Sequence, residues 1–177
     1  MTTNSINNKK VLQKHQVEKE FENLIKEYEF LIYKVCRVYA YTDADRQDLF
    51  QDIVMQLWQA YPRFKGESSV TTWLYRVALN TSISRLRKSK RNPGIADLAL
   101  ALEQLRDSST HYEDEEKLRQ MYKAIEQLTE IEKALVMLYM EDRSYQEMED
   151  ILGIVQGTLR VKMNRIKEKL RQLTKKY

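Results

Sequence analysis

The 177-residue chain is poor in residues that break helices and in residues that cross-link them: two prolines, four glycines and one cysteine. A single cysteine, Cys36, excludes a disulfide within the chain and suits a reducing cytoplasm, the expected location. It falls in an apolar helical run, so a core thiol is expected rather than a reactive one. No run of about 18 apolar residues occurs, which argues against a membrane span and against membrane contact by the chain itself. The opening MTTNSINNKK is polar and lacks the apolar centre of a secretory signal. The only histidines, His15 and His111, stand apart in polar segments. Without a metal-ligand cluster, a nucleophile constellation or a Gly-rich phosphate loop, neither an enzyme nor a cofactor is expected.

What the chain does have is charge, and it is segregated. Residues 1–96 carry 16 Lys and Arg against 10 acids, a balance of +6. Residues 97–150 carry 6 against 15, or −9, and residues 151–177 carry 8 against 1, or +7. Two basic ends around an acidic middle suggest two contacts with a polyanion. Solvated surface charge is the plain alternative for either cluster alone.

Hydrophobic spacing is helical throughout, with no alternating strand pattern. Phe21, Leu24, Ile25, Tyr28, Leu31, Ile32, Val35 and Tyr39 share one helical stripe. Leu49, Ile53, Val54, Leu57 and Tyr61 form a second, ending at Pro62. A third helix starts near Ser68 or Ser69, either of which can cap it, and runs to about Lys90. The stretch NPGIADLALALEQLRDSSTHYEDEE then reads as a linker. Beyond it, Leu118, Met121, Tyr122, Ile125 and Leu128 make one stripe, and Ile131, Leu135 and Leu138 another. The expected fold is all-α: two small helical bundles joined by a flexible acidic linker, the second carrying a helix-turn-helix. The expected boundaries are a flexible N-terminal tail over 1–16, a first domain over 17–91, a linker over 92–112 and a second domain over 113–177.

The stretch DILGIVQGTLRVKMNRIKEKLR, residues 150–171, poses a choice. Leu159, Met163, Ile166, Leu170 and Leu173 step by 4, 3, 4 and 3, which is a heptad seam. A coiled coil normally sustains such a seam for three or four heptads, and the sequence ends after about two. Ahead of it, Ser144 and Glu147 have capping-box spacing, and Gly153 can take the left-handed conformation that stops a helix. A short helix, a glycine turn and a longer basic helix make the helix-turn-helix plan, whose second helix enters the major groove. Opposite the seam lie Val161, Asn164, Arg165 and Glu168, flanked by Arg160, Lys162 and Lys169. Arg can bond guanine, Asn can bond adenine, and an exposed Val can meet a thymine methyl. Thr158 sits at the helix N-terminus, where a phosphate binds readily, and Lys162, Lys167 and Lys169 add charge toward the backbone.

Residues 48–91, DLFQDIVMQLWQAYPRFKGESSVTTWLYRVALNTSISRLRKSKR, resemble the second region of bacterial RNA polymerase sigma factors of the extracytoplasmic-function (ECF) group. Three signs carry this: the Asp-Leu-x-Gln-Asp start, the turn through RFKGESS, and TWLYRVALN. The later stretch AIEQLTEIEKALVMLYMEDRSYQEMEDILGIVQGTLRVKMNRIKEKL is similar to the fourth region of the same group, so the resemblance covers roughly residues 20–173. It implies that the surface of Asp48, Gln51, Asp52, Met55 and Gln56, which lies away from the second apolar stripe, meets the clamp helices of the polymerase largest subunit. It assigns the third helix to the promoter −10 element, where Arg76, Asn80, Ser84 and Arg87 align at spacings of 4, 4 and 3, and Asn80 matches a base-contacting asparagine. The loop holding Lys65, Glu67 and Ser68 matches a segment that captures a flipped base, whose extrusion costs a few kcal/mol. Arg85, Arg87, Lys88, Lys90 and Arg91 make a cluster suited to phosphates. Trp73 reads equally as a core anchor or as a melting residue.

The implied partners are core RNA polymerase (clamp helices and flap region), promoter DNA and an anti-sigma factor. The second basic helix then reads the −35 duplex. Acids of the linker (Asp97, Glu103, Asp107 and residues 113–116) fit a path through the polymerase cleft. Two departures from the group stand out. The turn before the recognition helix has Val155 and Gln156 where relatives often carry serine, so a cap worth about 1 kcal/mol is lost unless Gln156 or Thr158 replaces it. At Val161, relatives often have small polar residues, which bears on −35 preference. Two other functions stay open at this point: a free-standing helix-turn-helix regulator that binds duplex DNA without polymerase, and an adaptor that uses its acidic middle to bind proteins.

Overall fold

The computed structural model describes residues 3–91, 125 and 127–175, and these contain six α-helices. They are α1 (Thr3–Tyr39), α2 (Asp43–Ala60), α3 (Val70–Arg91), α4 (Glu130–Met140), α5 (Tyr145–Leu152) and α6 (Gln156–Lys175), with a 3-10 turn at Tyr61–Arg63. α1 includes residues 3–16, which the sequence reading assigns to a tail. The expected linker, 92–112, and the stripe residues Leu118, Met121 and Tyr122 lie outside the described residues.

Local chemistry sets the first three helices. Thr42 caps α2, its Oγ1 accepting from the Asp45 N–H at 3.0 Å. Arg46 braces the α1–α2 corner by donating to the Ala40 and Tyr41 carbonyls at 3.2 and 2.9 Å. At the start of α3, Ser69 Oγ accepts from the Thr72 N–H at 3.1 Å, which decides between the two candidate caps. The apolar stripes meet as expected: Ile32, Val35, Leu49, Ile53, Leu57, Leu74 and Leu79 are all buried between α1, α2 and α3. Aromatic rings close one end, with Phe21 edge-on to Trp58 at 5.0 Å and to Tyr61 at 5.3 Å.

The second unit is built from shorter pieces and depends more on caps. Thr129 opens α4 and Ser144 opens α5, each with a complete capping box, to Glu132 and Glu147 respectively. Leu135 and Leu138 of α4, Met148 and Ile151 of α5, and Leu159, Met163 and Ile166 of α6 bury one another. α3 lies against α5 and, less extensively, α4, so the buried residues of both units run together in one cluster. No helix among the described residues is long and apolar enough to cross a membrane.

Candidate nucleic-acid interface

The turn between α5 and α6 is set by Gly153, at φ 68° and ψ 23°, whose N–H donates to the Glu149 carbonyl at 2.8 Å. This left-handed cap is the stop read from the sequence. Three residues separate the helices. The serine cap missing at Val155 is not replaced by Gln156; that side chain instead donates to Gln146 Oε1 at 2.7 Å and pins the start of α6 onto α5. The heptad seam is consumed inside the unit, because Leu159, Met163 and Ile166 are at most 2% exposed. These three are therefore not available to a coiled coil, and the opposite face is turned outward.

On that face Thr158, Arg160, Val161, Lys162, Asn164, Arg165 and Lys167 are all exposed. Val161 is half exposed, as a residue placed to meet a methyl group would be. Two of the cations have aromatic supports. Arg160 lies over the Tyr145 ring at 5.3 Å, and Lys167 lies over Tyr139 at 4.2 Å while donating to its hydroxyl at 2.9 Å. Lys169 turns away, donating to the Gln127 carbonyl and to Glu132. Burial raises the Glu132 carboxyl, but the Thr129 cap and Lys169 outweigh it and hold the group below its ordinary range.

On α3, Asn80, Ser84, Arg87 and Lys88 are exposed along with Arg76, and Leu74, Ala78 and Leu79 are buried behind them. Trp73, left open by the sequence, is 8% exposed and stacks on Phe64 at 4.7 Å and 27°, so it anchors the loop that precedes α3. Gly66, at φ 73°, turns that loop. Lys65, Glu67 and Ser68 line a cleft of about 730 Å³ with Phe64, Trp73 and Arg76, and Glu147 and Asp150 face them from α5.

Two arginines have partners on distant helices. Arg85, grouped by the sequence reading with the phosphate-binding cations, is half-buried against α2, where its guanidinium meets Asp52 at 2.7 Å, Asp48 at 3.7 Å and Asp45 at 4.0 Å. It therefore tempers the acidic face of Asp48, Gln51, Asp52, Met55 and Gln56, of which all but half-buried Asp52 are exposed. Arg76, at the head of the polar stripe, donates from Nε to the Asp150 carbonyl at 2.9 Å and from Nη2 to the same oxygen. Residues 33 and 74 positions apart make these pairs, and nothing in local spacing announces them.

Residues 24–92 match the family model for sigma-70 region 2, and residues 118–170 match the one for sigma-70 region 4. The chain is a sigma-70 family sigma factor of the ECF type. It is 26% identical over 162 residues to the ECF RNA polymerase sigma-E factor of Escherichia coli (strain K12), covering 85% of this chain and 84% of that protein. To the RNA polymerase sigma-H factor of Pseudomonas aeruginosa it is 25% identical over 162 residues, again covering 85% and 84%. Its fold is similar to that of the sigma factor RpoE from Bartonella quintana, solved in complex with the anti-sigma factor NepR. The TM-score is 0.66 at 20% identity, over 89% of this chain and 98% of that one. CnrH, solved with the cytosolic domain of CnrY, gives 0.60 at 18% identity over 88% of both chains. As an ECF sigma factor the chain directs transcription initiation with RNA polymerase and is not itself catalytic.

Proposed function

We propose that this sigma factor works in the cytoplasm with its two units dividing promoter recognition. α6 reads the −35 duplex through Arg160, Val161, Asn164 and Arg165, with Thr158, Lys162 and Lys167 toward phosphates. The first unit captures the opened −10 strand, with Arg76, Asn80, Ser84, Arg87 and Lys88 along α3 and Lys65, Glu67 and Ser68 in the preceding loop. The α2 face of Asp48, Gln51, Asp52, Met55 and Gln56 meets the clamp helices of core polymerase, and the C-terminal unit meets the flap region. The units span 17–91 and 113–177, with 92–112 between them. An anti-sigma factor is a fitting regulator, since the sigma factor RpoE of similar fold was solved with one.

One observation carries this reading: burial of Leu159, Met163 and Ile166 within the unit leaves α6 with a continuous outward face of cations, an amide and a methyl-sized contact. The test separates the two jobs. Asp52→Arg should lower co-migration with core RNA polymerase on a sizing column by tenfold or more. Arg165→Ala should leave co-migration intact and weaken promoter binding by the assembled complex by about 1–3 kcal/mol, the cost of one lost bidentate base contact. Equal loss of polymerase binding in both variants would refute the division. Tight duplex binding by the isolated chain, with no polymerase complex, would favour a free-standing regulator.

A further inference from the structure

Two cations on the outward face of α6 rest on rings that belong to other helices, and the two supports differ. Arg160 lies over the Tyr145 ring at 5.3 Å, and its guanidinium donates no hydrogen bond to a described residue. Lys167 uses both parts of Tyr139: its ammonium is 4.2 Å from the ring centroid and donates to the hydroxyl at 2.9 Å. Lys162 and Arg165, exposed on the same face, have no ring contact among the described residues.

The meeting of Tyr145 and Arg160 follows from two fixed helix ends. Ser144 caps α5 with a complete box to Glu147, and Arg143 holds the same carboxylate at 3.0 Å. Tyr145, the first helical residue of α5, is therefore set by the cap. Gln156 opens α6 and donates to Gln146, the residue after Tyr145, at 2.7 Å. Arg160 lies four residues beyond Gln156, about one turn along the same side of α6. A half-buried ring is thus placed against an exposed guanidinium.

An unsupported arginine loses rotamer freedom when it is fixed against a base edge. A ring face beside it takes up part of that loss before DNA arrives, favouring the held conformation about twofold to fivefold at an exposed site. The ring engages the cation without occupying a donor, so the N–H groups of Arg160 stay available for the paired acceptors of a guanine. Lys167 differs in kind. An ammonium is a point charge without a planar fork, and one of its three donors is already engaged by Tyr139. It suits a phosphate, which carries no sequence information.

We infer that Tyr145 is a positioning residue for −35 readout: it holds Arg160 toward one guanine and so sets a base preference, whereas Tyr139 holds Lys167 and adds affinity alone. This rests on the assignment of α6 to the −35 duplex proposed above, and its test separates the two.

The full chain assembled with core RNA polymerase selects from a pool of duplexes randomised across the −35 and −10 elements, and sequencing of the bound fraction gives the preference at each position. Arg160→Ala should erase a guanine preference at one −35 position. Tyr145→Leu should lower that same preference about threefold and leave the other positions unchanged. Tyr145→Met, a second ringless variant, should do the same, and Tyr145→Phe, which keeps the ring, should retain the preference. In the Arg160→Ala background, Tyr145→Leu should add nothing at that position. Tyr139→Leu should weaken binding of the whole pool and shift no preference. Loss of folding lowers all −35 positions together, so a change at one position reports positioning. If Arg160→Ala erases a preference that the ringless variants leave whole, the inference fails and the −35 reading stands. Equal losses in Tyr145→Phe and Tyr145→Leu mean that the hydroxyl itself meets DNA, and also overturn the inference. If Arg160→Ala changes no position, the −35 role of Arg160 falls and the inference with it.

Discussion

α3 and α6 each present a polar face on an apolar back, but they are held in different ways. α6 stands on a platform of its own unit, with Leu159, Met163 and Ile166 sealed beneath it and its outward cations braced by Tyr145 and Tyr139. α3 sits in a larger bundle whose aromatic end fixes the loop before it, yet the head of its stripe is covered by α5. One face is open along its length; the other is tied at its head to α5 through Arg76 and exposed beyond it. A polar helix face can thus stand exposed along most of its length while its head is bonded to another helix of the same chain.

The platform beneath α6 should be the most sensitive to substitution. Leu159→Ala should cost about 2–5 kcal/mol, as large-to-small core substitutions do. Thermal melting followed by circular dichroism should show the second unit unfolding well below the first, with the proposed −35 binding lost at temperatures where α1 to α3 remain folded. Loss of both units in one unchanged transition would mean the platform is not separate. Gly153→Ala comes next, at about 1–2 kcal/mol, because a side chain at φ 68° is strained although there is space for a Cβ. Ser144→Ala should cost about 1 kcal/mol by removing one arm of the capping box. Urea titration of the two variants should rank them in that order.

The smallest expected effect depends on pH. The Ser144 N–H and then the Arg143 guanidinium hold the Glu147 carboxyl below its ordinary value of 4.5. Glu132 is lowered as well, once its cap and Lys169 have outweighed burial. Carboxyls depressed in the folded state contribute stability that is fully present above about pH 4.5, the unfolded value, and is lost as pH falls through their folded values. The second unit should therefore melt at lower temperature as pH drops below about 4.5. Glu147→Gln should flatten that dependence, and an identical slope in the variant would remove Glu147 from the account.

What could be read from the sequence was local. The Ser144–Glu147 box and the Gly153 stop each lie within a few residues, the seam of Leu159, Met163 and Ile166 follows one helical repeat, and the structure shows each of them. Family resemblance added the order of the two regions, now matched over residues 24–92 and 118–170. Contacts between distant segments were not legible. Arg85 looked like one of five cations and is instead drawn to the acids of α2, while Arg76, placed at the head of the polar stripe, is also bonded to α5. Both partners sit on other helices, and the helical repeat specifies which face a residue occupies without naming what that face meets. Trp73 shows the same limit, since either role suited its position until Phe64 was seen stacked on it.

Cys36 has a practical consequence. Its thiol is fully buried in the first bundle, and that burial pushes its pKa up to about 11. Thiol reagents attack the thiolate, so at neutral pH this group should stay silent until the bundle opens. The rate at which it reacts is then a clock for opening of the first bundle. Because it is the chain's one cysteine, a second thiol placed on the surface of the other unit should react first and alone. A single fluorophore can follow each half of the molecule in turn without altering the native chain elsewhere.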